Sequence, residues 1–301
     1  MRQRNTKWES VINTIPETTK QGTLFIVATP IGNLKDITQR AVEVLESVDW
    51  VAAEDTRHTR PLLQSLGINQ SLISLHDHNE ASRSIQLLAR LQQGESGALV
   101  SDAGTPLIND PGYHLVKLLR DHNINVVPIP GPSAVITALC AAGLPTDRFS
   151  YEGFLPAKSG KRCLVLAGLK EDMRTLVFYE SPHRILATLT DLKTVLGANR
   201  MMSVARELTK KFEQSVSGSI EEVMHYFEQH PDKVRGEFVL IIAGAPAKEA
   251  VALSEWDGLI AVLLKQNLPV KQISEIVANY GGVKKKPVYS RVLALKKSSG
   301  L

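Results

Sequence analysis

The chain has 301 residues, enough for more than one domain, with 43% hydrophobic and 22% charged residues, an ordinary balance for a globular protein. No run approaches the length of a membrane-spanning helix, and residues 1–21 are polar and lack the apolar segment of a signal peptide, so a cytoplasmic protein with a loose N-terminal extension is expected. A net charge of +4 and a pI near 9.0 hint mildly at nucleic acid, and Lys284, Lys285, Lys286, Arg291, Lys296 and Lys297 crowd into the basic end of a nearly balanced chain.

From Thr23 short apolar runs alternate with amphipathic segments. Thr23–Ala28, Trp50–Ala53, Ser71–Leu75, 98–100 and 125–129 are predicted strands. Helices are predicted where Ile37, Ala41, Val44, Leu45 and Val48 share a face, and over 81–93, 113–121 and 133–142. Such alternation implies a mostly parallel sheet covered on both faces. Gly143 to Pro156 breaks the pattern and places a domain boundary near 145/146. The second half restarts it, with strands at Thr175–Tyr179, Met201–Ala205 and Phe238–Ile242 and helices around 185–196 and 219–227. Beyond a boundary near 248/249, stripes at 259–263, 270–277 and 288–295 predict a basic helical module like a helix-turn-helix, or a structural cap.

Several chemistries are excluded by motif. No G-x-G-x-x-G follows a strand, and no P-loop, H-E-x-x-H or G-x-S-x-G occurs. His76 and His78 lack a further ligand cluster, so no metal is expected. Cys140 and Cys163 match no redox spacing and are expected to be buried thiols. The informative stretches are Ser101 to Gly112 and Pro130 to Ala134. Each follows a strand and is rich in proline and small residues, the composition of a ligand crevice at the carboxyl edge of an open sheet. In the first, Asp102 can accept hydrogen bonds from a ligand.

Eight motifs in order then carry a resemblance over 22–296: Ala28 to Leu34, Ala53 to Arg57, His76 to Glu80, Ser101 to Gly112, Pro130 to Ala134, Phe178 to Arg184, Ala205 to Lys211 and Gly236 to Phe238. The chain resembles the tetrapyrrole-methylase superfamily, and within it the ribosomal RNA small subunit methyltransferase I family. In the first loop it has Thr29-Pro30-Ile31-Gly32-Asn33 where tetrapyrrole-modifying relatives carry G-x-G-P-G, which favours the RNA branch. The resemblance implies a class III methyltransferase fold, two α/β domains (22–145 and 146–248) plus the C-terminal helical module. It implies S-adenosylmethionine as cofactor, 2′-O-methylation of a cytidine ribose in the decoding region of 16S ribosomal RNA, free or in the 30S subunit, and a homodimer. A small-molecule methylase of the same fold and a non-catalytic RNA-binding protein are the alternatives.

Carried over by position, Pro30, Asp102, Thr105, Leu107, Ser133 and Ala134 line the cofactor site from the first domain, and Tyr179, Glu180, Glu207 and Phe238 from the second. Methyl transfer to a hydroxyl needs alignment and a base. Glu54, Asp55 and His78 are the candidates, with Glu54 and Asp55 equally suited to pair with Arg57 or cap the next helix. Arg57, His58, Arg60, Arg184, Arg206, Lys210, Lys211, Lys284, Lys285 and Lys286 are candidate phosphate contacts. Tyr113, Phe178 and Tyr179 are candidates for stacking on an extruded base.

Overall fold

A computed structural model describes residues 21–246 and 253–298, so the expected extension, all but its last residue, and the 248/249 boundary lie outside the described residues. The first sheet is built from β1 (Thr23–Val27), β2 (Trp50–Ala53), β3 (Leu72–Ser74), β4 (Gly97–Val100) and β5 (Asn125–Ile129), in the order β3-β2-β4-β1-β5. Every pairing in it is parallel, as the alternation predicts. β2 and β4 are buried along their whole length, which is why they are unbroken runs of apolar and small residues. The intervening helices are α1 (Gln39–Ser47), α2 (Thr56–Ser65), α3 (Glu80–Gln92), α4 (Tyr113–Asp121) and α5 (Ala134–Ala141). Ala41, Leu45 and Leu63 of α1 and α2 join one core on the sheet, and Leu87, Leu91, Leu115 and Leu119 of α3 and α4 join the other.

One packing constraint in this sheet is testable. A Cβ on Gly97 would fall 2.3 Å from the Trp50 ring, which is fully buried and cannot swing away. Gly97→Ala is expected to cost about 1–3 kcal/mol of unfolding free energy by overpacking, measured by urea denaturation.

The second sheet contains β6 (Phe149–Phe154), β7 (Thr175–Glu180), β8 (Met201–Arg206), β9 (Gln214–Ser219) and β10 (Phe238–Ile242), in the order β6-β7-β10-β8-β9. Here the sequence pattern misleads: only β6–β7 is parallel, and β10 runs antiparallel to both its neighbours. On one face lie α6 (Ser159–Leu169), α7 (Ile185–Leu196) and α8 (Ile220–Gln229), and on the other Val135, Ala138 and Leu139 of α5. Both faces of β10 are therefore covered, so its direction leaves no trace in an all-apolar FVLII run. The expected boundary at 145/146 falls where the chain passes from the first sheet to the second.

Four elements escape the periodicity: α2, α6, β6 and β9. α2 buries only Thr59 and Leu63 among polar residues and has Pro61 inside it. β9 is a polar edge strand, QSVSGS, and β6 carries a bulge with Gly153 at φ +69°. The cysteines are a correction. Cys140 is exposed because α5 buries Val135, Ala138 and Leu139, and Cys163 is half-buried.

The chain divides into two compact units. One takes Arg174–Ala243 with the chain up to Lys170, hence both sheets; the other takes Glu171–Met173 and the chain from Gly244. In the second unit α9 (Asp257–Lys265), α10 (Val270–Gly281) and α11 (Lys285–Ser298) close on Ile260, Leu264, Ile273, Val277, Val288 and Val292. Gly282, at φ +62°, ends α10 in the left-handed conformation. Arg291 holds Asp257 with its Nε 2.9 Å from Oδ1.

Candidate functional site

β1 and β4 are neighbours whose chains part in opposite directions. After β1 the chain runs through α1 to β2, beyond β4; after β4 it runs through α4 to β5, beyond β1. The crevice opens at such a switch point. The two departing loops are stitched there, Thr29 and Gly104 exchanging backbone hydrogen bonds of 2.8 and 3.0 Å. Thr105 Oγ1 donates to the Pro132 carbonyl at 3.0 Å, tying in the third loop.

Above these loops lies a cavity of about 460 Å3. Asp102, Gly104, Thr105, Asn109, Asp110, Ser133 and Ala134 form its first-sheet wall, and Tyr179, Glu180, Gly236 and Phe238 its second-sheet wall. Tyr179 is edge-on to Tyr151 at 5.1 Å and to Phe154 at 5.5 Å, and burial pushes its phenol up. Of the expected cofactor residues, three stand elsewhere. Pro30 lines a separate hollow against α2. Leu107, at φ +72°, packs into the core beneath the loop. Glu207 pairs with Lys210 at 3.0 Å and accepts from the Glu237 amide. Glu180 borders the cavity, but its carboxylate is committed to the Thr188 hydroxyl (2.6 Å), the Ser181 amide (2.7 Å) and Arg184 (2.7 Å).

A second, polar cavity of about 470 Å3 is lined by Glu54, Asp55, Thr56, Arg57, Ser74, His76 and Asp102. Glu54 and Asp102 are common to both cavities. Burial, then the negative charges of Asp110, Asp102, Asp77 and Asp55, push the Glu54 carboxyl up to about 7. Asp55 is the opposite case. It caps α2 through the Arg57 amide (2.8 Å) and holds the Arg57 guanidinium (2.6 Å), which keeps its carboxyl down at about 2. Asp102 accepts from the Asp55 amide (3.1 Å) and pairs with His58 Nδ1 (2.9 Å), which pushes the His58 imidazole up. His78 is exposed, edge-on to His76 at 5.9 Å, and lines neither cavity.

Sequence reasoning missed Asp110, whose carboxyl burial pushes up. It sits in the Ser101–Gly112 loop, but depth in a pocket has no sequence marker. The expected phosphate contacts also divide. Arg206 is buried, its guanidinium spent on Gln214 and on the Phe212, Lys233 and Arg235 carbonyls. Arg184 and Lys210 are held in ion pairs. Arg57 is exposed though paired with Asp55, Lys285 is exposed and paired with Glu275 at 2.8 Å, and Arg60, Lys211, Lys284 and Lys286 are exposed. Phe178 is fully buried in the core, whereas Tyr113 is exposed.

The first cavity suits S-adenosylmethionine. Its volume is that of a small-molecule site, and its lining includes the aromatic rings of Phe154, Tyr179 and Phe238 and the small residues Ala103, Gly104, Ser133 and Ala134. Gly104, at φ +83°, bares backbone there, and Ser133 makes no side-chain cap to the first amides of α5. Glu54, Asp102 and Asp110 border it with carboxylates, the charge complement of a sulfonium.

Fold and site together define a class III methyltransferase: residues 23–224 match the family model of the Tetrapyrrole (Corrin/Porphyrin) Methylases. The chain shares this fold with a uroporphyrin-III C-methyl transferase from Thermus thermophilus solved with S-adenyl homocysteine (TM-score 0.50, 18% identity, 74% of this chain and 97% of that one). It is 53% identical to ribosomal RNA small subunit methyltransferase I of Escherichia coli O157:H7 (91% of this chain, 95% of that protein) and 50% identical to that of Pasteurella multocida (89% and 95%). The chain belongs to the ribosomal RNA small subunit methyltransferase I family.

Proposed function

We propose that this chain methylates the ribose 2′-hydroxyl of a cytidine in small-subunit ribosomal RNA, with the methyl donor in the first cavity, the acceptor nucleotide in the polar one, and Glu54 as general base on their common wall. Family membership makes it an S-adenosylmethionine-dependent methyltransferase of 16S ribosomal RNA. The observation that carries the finer reading is the position of Glu54: one carboxyl borders both cavities and is pushed up to about 7. A base of that strength is half deprotonated near neutral pH and accepts the hydroxyl proton as the new bond forms, worth about 10²–10⁴ in rate. Bound in the first cavity, S-adenosylmethionine supplies an electrophilic methyl group. Asp55, locked to Arg57, fixes the start of α2 and presents Arg57 at the polar cavity.

Incubation with methyl-labelled donor and small-subunit RNA, followed by mass mapping, tests this. Label on a cytidine ribose is expected; label on a base, only in a porphyrinoid, or in no RNA overturns it. Exposed Arg60, Lys211, Lys284 and Lys286 supply the non-specific phosphate term. Lys284→Ala and Lys286→Ala are each expected to lower the slope of log affinity against log salt by roughly one, measured by filter binding. The same reading includes a cytoplasmic homodimer acting on the RNA within the 30S subunit. Light scattering and a comparison of free RNA with subunits as acceptor test these parts.

A further inference from the structure

The stretch His76 to Glu80 has a role that the reaction does not use. Its last residue, Glu80, opens α3 and is only 5% exposed. Its Oε1 accepts three backbone N–H groups: Gly112 (3.0 Å), His114 (2.8 Å) and Leu115 (3.3 Å). These are the orphan amides at the start of α4. That helix has no cap of its own, because its N-cap must be glycine. Gly112 stands at φ +127°, and a Cβ there would lie 2.7 Å from Leu99 Cδ2. The missing cap comes from α3 instead.

Glu80 is itself anchored. Asn79 accepts from the His76 amide (2.9 Å) and donates to the Ser74 carbonyl (3.2 Å), fixing the turn to the end of β3. The donor loop is thus pinned at both ends, by the Thr29–Gly104 pairing and by Glu80 at Gly112. Between the pins Leu107 (φ +72°) holds a left-handed conformation that is rare for a bulky side chain, and Asn109 (φ +71°) holds the one that asparagine tolerates. Asn109 and Asp110 face the first cavity from this segment.

We propose that Glu80 is a positioning residue for the methyl donor: its carboxylate, a cap lent by a neighbouring helix, clamps the end of the Ser101–Gly112 loop and so sets Asn109 and Asp110 in the cavity wall. This rests on the reading of that cavity as the donor site.

The test compares wild type, Glu80→Ala and Glu80→Gln by calorimetry with S-adenosylmethionine, by methyl-transfer kinetics and by hydrogen exchange without ligand. Glu80→Ala is expected to raise the donor Kd and KM about tenfold or more, since small misplacements in a site are costly, with kcat changed less than about threefold. Exchange over 104–115 is expected to quicken. Glu80→Gln, which keeps an acceptor oxygen, is expected to retain donor affinity within about threefold. A merely structural role lowers the active fraction and leaves KM alone. That result, or a folded Glu80→Ala with donor Kd within about twofold of wild type, overturns the proposal. If Glu80→Ala does not fold, Glu80→Asp, with its carboxylate one methylene shorter, is held to the same thresholds. Wild-type protein that fails to bind the donor overturns the reading of the cavity, and the exchange comparison then judges the clamp separately.

Discussion

Glu54→Gln lowers kcat by about 10²–10⁴ at pH 8 while the fold persists. The amide keeps the size of the side chain and removes its ability to take a proton. The wild-type pH profile sharpens the test. The active form is the carboxylate, so kcat/KM rises with pH through about 7 and then levels. A bound sulfonium places a positive charge beside the carboxylates that hold the Glu54 value up. The kcat profile therefore breaks at lower pH than the kcat/KM profile. The same group costs stability. Its folded-state value lies above the ordinary 4.5, so the folded form holds the proton more tightly than the unfolded one. Stability from Glu54 is full below about 4.5 and is lost as pH rises through about 7. Glu54→Gln is expected to be at least as stable as wild type at pH 8, the mark of a residue strained for function. A profile that keeps its break near 7 in the Gln variant removes Glu54 as the base.

How much of this was legible in the sequence depends on what kind of fact is asked for. The crevice loops were legible, because turning from a buried strand into a helix needs proline and small residues, and Ser101 to Gly112 and Pro130 to Ala134 show them. Which carboxylate does what was not. Glu54 and Asp55 are adjacent in sequence with the same chemistry, yet one is pushed up by burial and like charges and the other is held down by Arg57. Burial and the charges of Asp110 and Asp102, which lie in another loop, act on Glu54, whereas Asp55 is held by Arg57 two residues further on. Asp102 likewise has the place of a ligand-binding residue, but both its oxygens meet protein groups, the Asp55 amide and His58. Strand direction in the second sheet was hidden for a related reason. β10 is apolar on both faces because helices cover both, and that pattern is the same whichever way the strand runs. Glu80 belongs to the His76–Glu80 motif, but its meaning depends on Gly112, which it caps from far along the chain.

Arg184→Ala is expected to destabilise the fold by about 3–5 kcal/mol and to leave the salt dependence of RNA binding unchanged. By sequence Arg184 belongs with the phosphate contacts. In the structure its guanidinium neutralises Glu180, whose side chain has no exposure, and also donates to the Leu155 carbonyl and to Ser181 Oγ. Removing the arginine leaves a buried carboxylate with only the Thr188 hydroxyl and the Ser181 amide to hold it. The charge, not the lost contact, is then the main cost. Glu180→Gln combined with Arg184→Ala should therefore recover part of the loss, because no buried charge remains uncompensated. Urea denaturation of the two single variants and the pair gives that coupling directly. Arg60→Ala, at an exposed position of α2, is the contrasting case: stability within about 0.5 kcal/mol and a salt slope reduced by roughly one. An Arg184→Ala protein of wild-type stability with a reduced slope returns Arg184 to the RNA-binding surface and frees Glu180 to act on the ligand side of the cavity.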